Sequence, residues 1–148
     1  MSAPRIRVRE YLPADLGAVH RIGEVCAGSL WGEVPDGRDQ IAKWPTDFFL
    51  VAEVDGAVVG FTRGEVRKAA EVCIMPDGET YMEVEGVYVR PEFQRRGIGT
   101  ALLDRLLANG RAAGIARFQV YTGSKALDDA LRFYRRAGFG TWHSRLFI

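Results

Sequence analysis

Residues 81–114 read YMEVEGVYVRPEFQRRGIGTALLDRLLANGRAAG, and this stretch decides the fold. Residues 81–89 are rich in β-branched and aromatic side chains and hold no proline, which predicts a strand. Pro91 removes a backbone donor and ends the ladder. From Ile98 onward, Ile98, Leu102, Leu103, Leu106 and Leu107 recur at helical spacing. Gln94-Arg95-Arg96-Gly97-Ile98-Gly99-Thr100 therefore lies where a helix begins. The first amides of a helix have no partner within it and carry the positive end of its dipole. Two glycines admit a bulky anion close to the backbone, and Arg95 and Arg96 add positive charge. The combination predicts a phosphate or pyrophosphate site. A Walker loop would need Gly-Lys-Ser/Thr, which does not occur here. A dinucleotide fingerprint would need a third glycine where Leu102 stands.

Around this stretch the chain has 148 residues, enough for one domain over residues 1–148. Hydrophobic content of 47% and charged content of 26% describe a globular protein. A net charge of +1 gives no reason to expect nucleic acid or an anionic membrane as partner. The start, MSAPRIRVRE, does not read as a signal peptide, and no apolar run is long enough to span a bilayer, so a cytoplasmic protein is expected. Cys26 and Cys73 are far apart and read as reduced thiols. His20 and His143 lack a ligand spacing, so no metal is expected.

Upstream, Ile6 and Val8 alternate with Arg5, Arg7 and Arg9, predicting a strand. Pro13-Ala14-Asp15 opens a helix, and a short second helix is expected around residues 38–44. Residues 48–54 and 57–62 flank Asp55-Gly56, a hairpin signal, because Asp-Gly accepts the positive φ of a two-residue turn. Residues 67–79 read as a loop. Downstream, Gly110 interrupts the helical pattern and Gly114 caps it; residues 115–121 then alternate as a strand parallel to the first. A helix over residues 126–137 precedes a last strand at residues 139–148.

Val87-x-Val89-x-Pro91-x-x-Gln94-x-x-Gly97-x-Gly99 with its leucine-rich helix resembles the GNAT superfamily of acyl-CoA N-acyltransferases. Ala130-x-x-Phe133-Tyr134-x-x-x-Gly138-Phe139 resembles the family's second motif. The resemblance implies an α/β fold with a central mixed sheet of six to seven strands flanked by about four helices. It implies acetyl-CoA as cosubstrate, its pyrophosphate on the amides of residues 95–100 and its pantetheine arm paired like an added strand with Val87, Tyr88 and Val89. Gln94 and Phe133 belong to the same cofactor site. Where many members carry an asparagine, this chain has Leu127, so that contact is either absent or made from elsewhere, with Ser124 as the candidate.

Acyl transfer to an amine needs a base, since an ammonium titrates near about 10. Glu83 and Glu85 share one face of the central strand, where burial would raise a carboxylate towards neutrality, and both are candidates. Glu85-Gly86-Val87-Tyr88-Val89 is similar to a stretch of some aminoglycoside N-acetyltransferases, which leans the choice to Glu85. Tyr134 matches the family tyrosine that protonates the departing thiolate. Trp31, Glu33 and Trp142, with Asp36, Asp39, Trp44 and His143, are candidates for the acceptor side, because aromatics and carboxylates suit a cation. The acceptor is read as a small-molecule amine or a protein or peptide amine. A coenzyme-A-binding sensor without catalysis and a transferase of longer acyl groups are the alternatives. The ten residues after Gly138 barely make one strand, so the expectation is either a sheet one strand short or a homodimer whose second subunit pairs with its end.

Overall fold

The computed structural model describes residues 5–30, 36–71, 74–122 and 127–141, and the backbone alone at residues 27–30. A mixed sheet has its strands in chain order: β1 (Ile6–Glu10), β2 (Phe49–Val54), β3 (Ala57–Lys68), β4 (Thr80–Val89) and β5 (Phe118–Val120). The first three neighbour pairs are antiparallel and β4–β5 is parallel. Among the described residues four α-helices flank it: α1 (Leu16–Leu30), α2 (Arg38–Ile41), α3 (Ile98–Ala112) and α4 (Leu127–Arg136). Five strands among the described residues, not six to seven, corrects the expected sheet; most of the expected last strand, at residues 142–148, lies outside the described residues. Among the described residues no helix is long and apolar enough to cross a membrane.

Each face of the sheet has its own core. Leu102, Leu103, Leu106 and Leu107 of α3 pack on Leu50, Val59, Met82, Val84 and Val89, with Phe133 and Tyr134 of α4 against the same cluster. On the opposite face Val19, Ile22 and Cys26 of α1 and Ile41 of α2 pack on Phe49, Val51 and Phe61. Truncating one of these buried leucines to alanine costs about 2–5 kcal/mol. The expected turn at Asp55-Gly56 is formed, with φ of 50° and 83° at the two positions.

Two glycines explain features that the pattern alone left open. Gly110 lies where α3 crosses β5: a Cβ there would come within 2.7 Å of the Phe118 ring, so the interruption of the leucine pattern is a packing requirement. Gly86, at φ 132°, sits at a bulge in β4: Thr62 pairs with Val87 and Gly64 with Val84, leaving one extra residue on β4. The Thr62 hydroxyl donates to the Gly86 carbonyl at 2.7 Å. The bulge exchanges the faces of the strand. Met82 and Val84 before it, and Val87 and Val89 after it, all pack towards α3.

The expected loop at residues 67–79 is shorter, because β3 continues to Lys68 beside β4. Residues 63–68 hold one large apolar side chain, Val66, too little to announce a strand; Arg63, Glu65 and Arg67 pair with one another along β3, and Arg67 also reaches Glu85 on β4.

At the N-terminal edge, Arg9 makes two hydrogen bonds to Asp15, at 2.7 and 2.8 Å, and one to Glu53 at 2.8 Å. Asp15 is only 7% exposed and also accepts from the Leu12 amide, closing the turn that opens α1. The hydrogen bond from Arg9 holds the Asp15 carboxyl below the usual carboxylate range.

Candidate active site

The loop after β4 winds one 3-10 turn over Pro91–Phe93 and then opens α3. Arg95 and Gly97 adopt left-handed φ values of 63° and 82°. The first intrahelical bond runs from the Ala101 amide to the Gly97 carbonyl, so the amides of Ile98, Gly99 and Thr100 have no partner within the helix. Arg95, Arg96, Gly97 and Thr100 are exposed there, while the Ile98 side chain is buried in the core. Gln94 reaches back and donates from Nε2 to the Val89 carbonyl at 3.0 Å, bracing the end of β4. A Cβ on Gly99 would meet the Phe133 ring at 3.4 Å and Val87 at 3.6 Å, so α4 rests on the start of α3.

Among the described residues β4 and β5 pair over three positions: Met82 with Phe118, Glu83 with Gln119, Val84 with Val120. β4 then runs five residues further, to Val89. The Arg90 amide donates to the Val59 carbonyl. Alternation along an antiparallel ladder turns the backbone groups of Tyr88 towards β3 and those of Val87 and Val89 away from it. Of the three residues expected to offer backbone groups, Val87 and Val89 have them on the open side. The Val89 carbonyl already accepts from Gln94.

Glu83 and Glu85 lie on the face towards α1, and their surroundings differ. Glu83 is 5% exposed and faces Glu65 on β3 and Gln119 on β5 in register. Burial, reinforced by the charge of Glu85, pushes its carboxyl up to about 7, although Arg67 and the hydrogen bond from Gln119 oppose the shift. Glu85 is half-buried and paired with Arg67 at 3.0 Å. Arg67 also reaches Glu65 at 3.0 Å, and Glu65 accepts from Arg63 at 2.6 Å. Arg63 in turn lies 4.1 Å over the Trp44 ring. A chain of alternating charge thus crosses the face from Trp44 to Glu85, and Glu83 stands beside it.

Tyr134 is half-buried on α4, edge-on to Phe133 at 5.0 Å and to Phe139 at 5.6 Å. Burial pushes its phenol up to about 12, with Tyr88 adding to the shift from the other side of the sheet. Its hydroxyl therefore keeps its proton at neutral pH.

Asp36 and Asp39 are exposed near α2, and Trp44 is packed against Phe49 and Phe61. Trp31, Glu33, Ser124, Trp142, His143 and Cys73 lie outside the described residues. The Cys26 thiol is buried and donates to the Val89 carbonyl at 3.6 Å. Among the described residues no three His, Cys, Asp or Glu side chains group as a metal site. Glu65, Arg63, Arg67 and Gln119 were not singled out from sequence; the one available signal was the alternation of Arg63, Glu65 and Arg67 along β3.

The family model described as Acetyltransferase (GNAT) family matches residues 16–139. An aminoglycoside N(6')-acetyltransferase type 1 of Stenotrophomonas maltophilia is 32% identical over 117 residues, covering 76% of this chain and 71% of that protein. A mycothiol acetyltransferase of Thermobispora bispora is 37% identical over 107 residues, covering 71% of this chain and 34% of that protein. The chain spans 42%, 34% and 58% of the length of three curated relatives it matches. In fold it is similar to the aminoglycoside N-acetyltransferase AAC(6')-Iy in complex with CoA, with a TM-score of 0.74 over 99% of this chain and 95% of that one, at 21% identity. The chain belongs to the acetyltransferase (GNAT) family.

Proposed function

We propose that the chain is an acetyl-CoA-dependent N-acetyltransferase in which Glu83 is the base and Tyr134 the general acid, acting on a cationic primary amine of a small molecule. The observation that carries this is the gap among the described residues where β4 outruns β5 beside the start of α3, with the buried Glu83 in the adjoining paired rungs and Tyr134 packed on the α3 side of the sheet.

The residues present fit the cosubstrate. Three unsatisfied amides, two left-handed residues and two exposed arginines at the start of α3 suit a diphosphate. The open edge at Val87 and Val89 suits an amide-bearing arm. Once bound, the thioester supplies an activated acetyl group. Glu83, titrating near 7, is ionised in an appreciable fraction of molecules and still basic enough to take a proton from an ammonium, directly or through one water. Glu85 is the weaker choice despite its similarity to a family stretch, because Arg67 holds it as a paired carboxylate. Tyr134 keeps a proton to give to the departing sulfur. The relative named for aminoglycoside acetylation and the carboxylates of this face both support a cationic acceptor.

The test is thiol release from acetyl-CoA across a panel of primary amines, with calorimetry for acetyl-CoA alone. Turnover with at least one amine, reduced about tenfold or more in Tyr134→Phe, is the expected result. Tight binding with no turnover, and no effect of Tyr134→Phe, would assign the chain to a sensor role instead.

A further inference from the structure

Gln119 stands directly across from Glu83 in the parallel register of β4 and β5. Its Nε2 donates to Glu83 Oε2 at 3.1 Å. The ionised carboxylate only accepts, so in that form the amide nitrogen faces Glu83 and the amide oxygen is the atom left over. That oxygen, Gln119 Oε1, is the only buried side-chain nitrogen or oxygen among the described residues without a hydrogen-bond partner. Buried acceptors are rarely left unmade, and one beside a candidate base needs a reason. Thr62 and Asp15, buried elsewhere, have their partners. An ammonium brings three N–H groups, more than one carboxylate oxygen can take.

We propose that Gln119 is a positioning residue of this site: its amide nitrogen holds the Glu83 carboxylate, and its Oε1 accepts one N–H of the incoming acceptor ammonium. A single side chain then fixes base and nucleophile against each other, one proton of the amine going to Glu83 while another is held by Gln119. This rests on the acetyltransferase reading above. The charged groups facing Glu83 are Glu85 on its own strand and Glu65 and Arg67 on β3; β5 contributes the neutral Gln119. Removing the Gln119 contact takes away a hydrogen bond that favours the ionised carboxylate, so the titration of Glu83 moves to higher pH.

The experiment uses the full chain and two variants. Gln119→Met keeps the length and loses both polar functions; Gln119→Glu keeps an acceptor and loses the donor. Carboxyl-carbon NMR follows the Glu83 titration without ligand, and steady-state kinetics use acetyl-CoA with kanamycin as the amine probe. Gln119→Met is expected to raise the Glu83 midpoint and the KM for kanamycin about tenfold while leaving the KM for acetyl-CoA within about twofold. Gln119→Glu is expected to raise the midpoint further, as a second carboxylate, yet keep the kanamycin KM within about threefold, and it decides the question should the Met variant not fold. An unmoved midpoint with an unmoved kanamycin KM overturns the assignment, as does an equal rise in both KM values. A parent that neither binds acetyl-CoA nor turns over kanamycin overturns the acetyltransferase reading and the amine contact with it. The ligand-free titration then still decides whether Gln119 holds Glu83.

Discussion

Asp15 and Glu83 are both buried carboxylates on this sheet's periphery and centre, and they have opposite fates. Asp15 meets the guanidinium of Arg9 with two hydrogen bonds and an amide besides, so it stays ionised and ties β1 to the start of α1. Glu83 receives one neutral amide and faces two further carboxylates, so its charge is resisted. Burial is similar; the partners differ. A carboxylate that is fully answered holds structure together, and one left partly unanswered keeps chemical reactivity.

The largest effect that separates the two is loss of Glu83. Glu83→Gln should lower kcat/KM by roughly 10²–10⁴. Its stability should move the other way. The folded Glu83 titrates above its ordinary 4.5, so its contribution to stability is full below about 4.5 and lost as pH climbs through about 7. Glutamine mimics the neutral form, and Tm of the variant should therefore exceed that of the parent at pH 8 and match it near pH 4. A variant less stable than the parent at pH 8 would break the contrast.

Asp15→Asn should do the reverse, costing about 3 kcal/mol by leaving Arg9 underpaired, with kcat/KM of the folded protein within about twofold. Because Asp15 titrates below its ordinary 3.8, its stabilisation is present above that pH and is lost as pH falls through the lowered value. The Tm gap to the parent should be constant from pH 5 to 9 and close in acid, as thermal melts across that range would show.

A smaller effect concerns the rate profile. Activity should rise through a single limb near pH 7 as Glu83 ionises and stay level to pH 10, since Tyr134 holds its proton to about 12. A limb that follows the acceptor's own pKa instead would mean that no group of the protein takes the proton. The smallest effect tunes this limb: Glu85→Gln should move it down and Arg67→Met up, each by less than about one unit, because both partners are part-exposed and screened.

What could be read beforehand was local. Gly97, Gly99, Pro91 and the leucine spacing lie within one stretch, and each acts on its own neighbourhood, so the turn and α3 emerged where expected. Ala130, Phe133 and Tyr134 likewise declared α4. The polar half of β3 did not declare itself, because Arg63, Glu65 and Arg67 are held by pairing with one another, with Glu85 on β4 and with the Trp44 ring, and not by apolar alternation. Nor could sequence rank Glu83 over Glu85: the difference arises from which cross-strand neighbour each meets, and that depends on register. The pairing of Arg9 with Asp15 and Glu53 is hidden for the same reason, spanning 44 positions in the case of Glu53.

The extra residue at Gly86 sets how this strand tolerates change. Odd-numbered positions face α1 before it and even-numbered positions face α1 after it, so the acids and the aliphatic pair Val87 and Val89 end up on opposite sides of one continuous strand. Deleting that extra residue would keep every face, whereas adding one more beside it would carry the Tyr88 ring beneath α3 and the two valines into the acidic layer. Both walls of the gap would be lost in a single event, whereas deletions in the 69–79 connection would leave them intact.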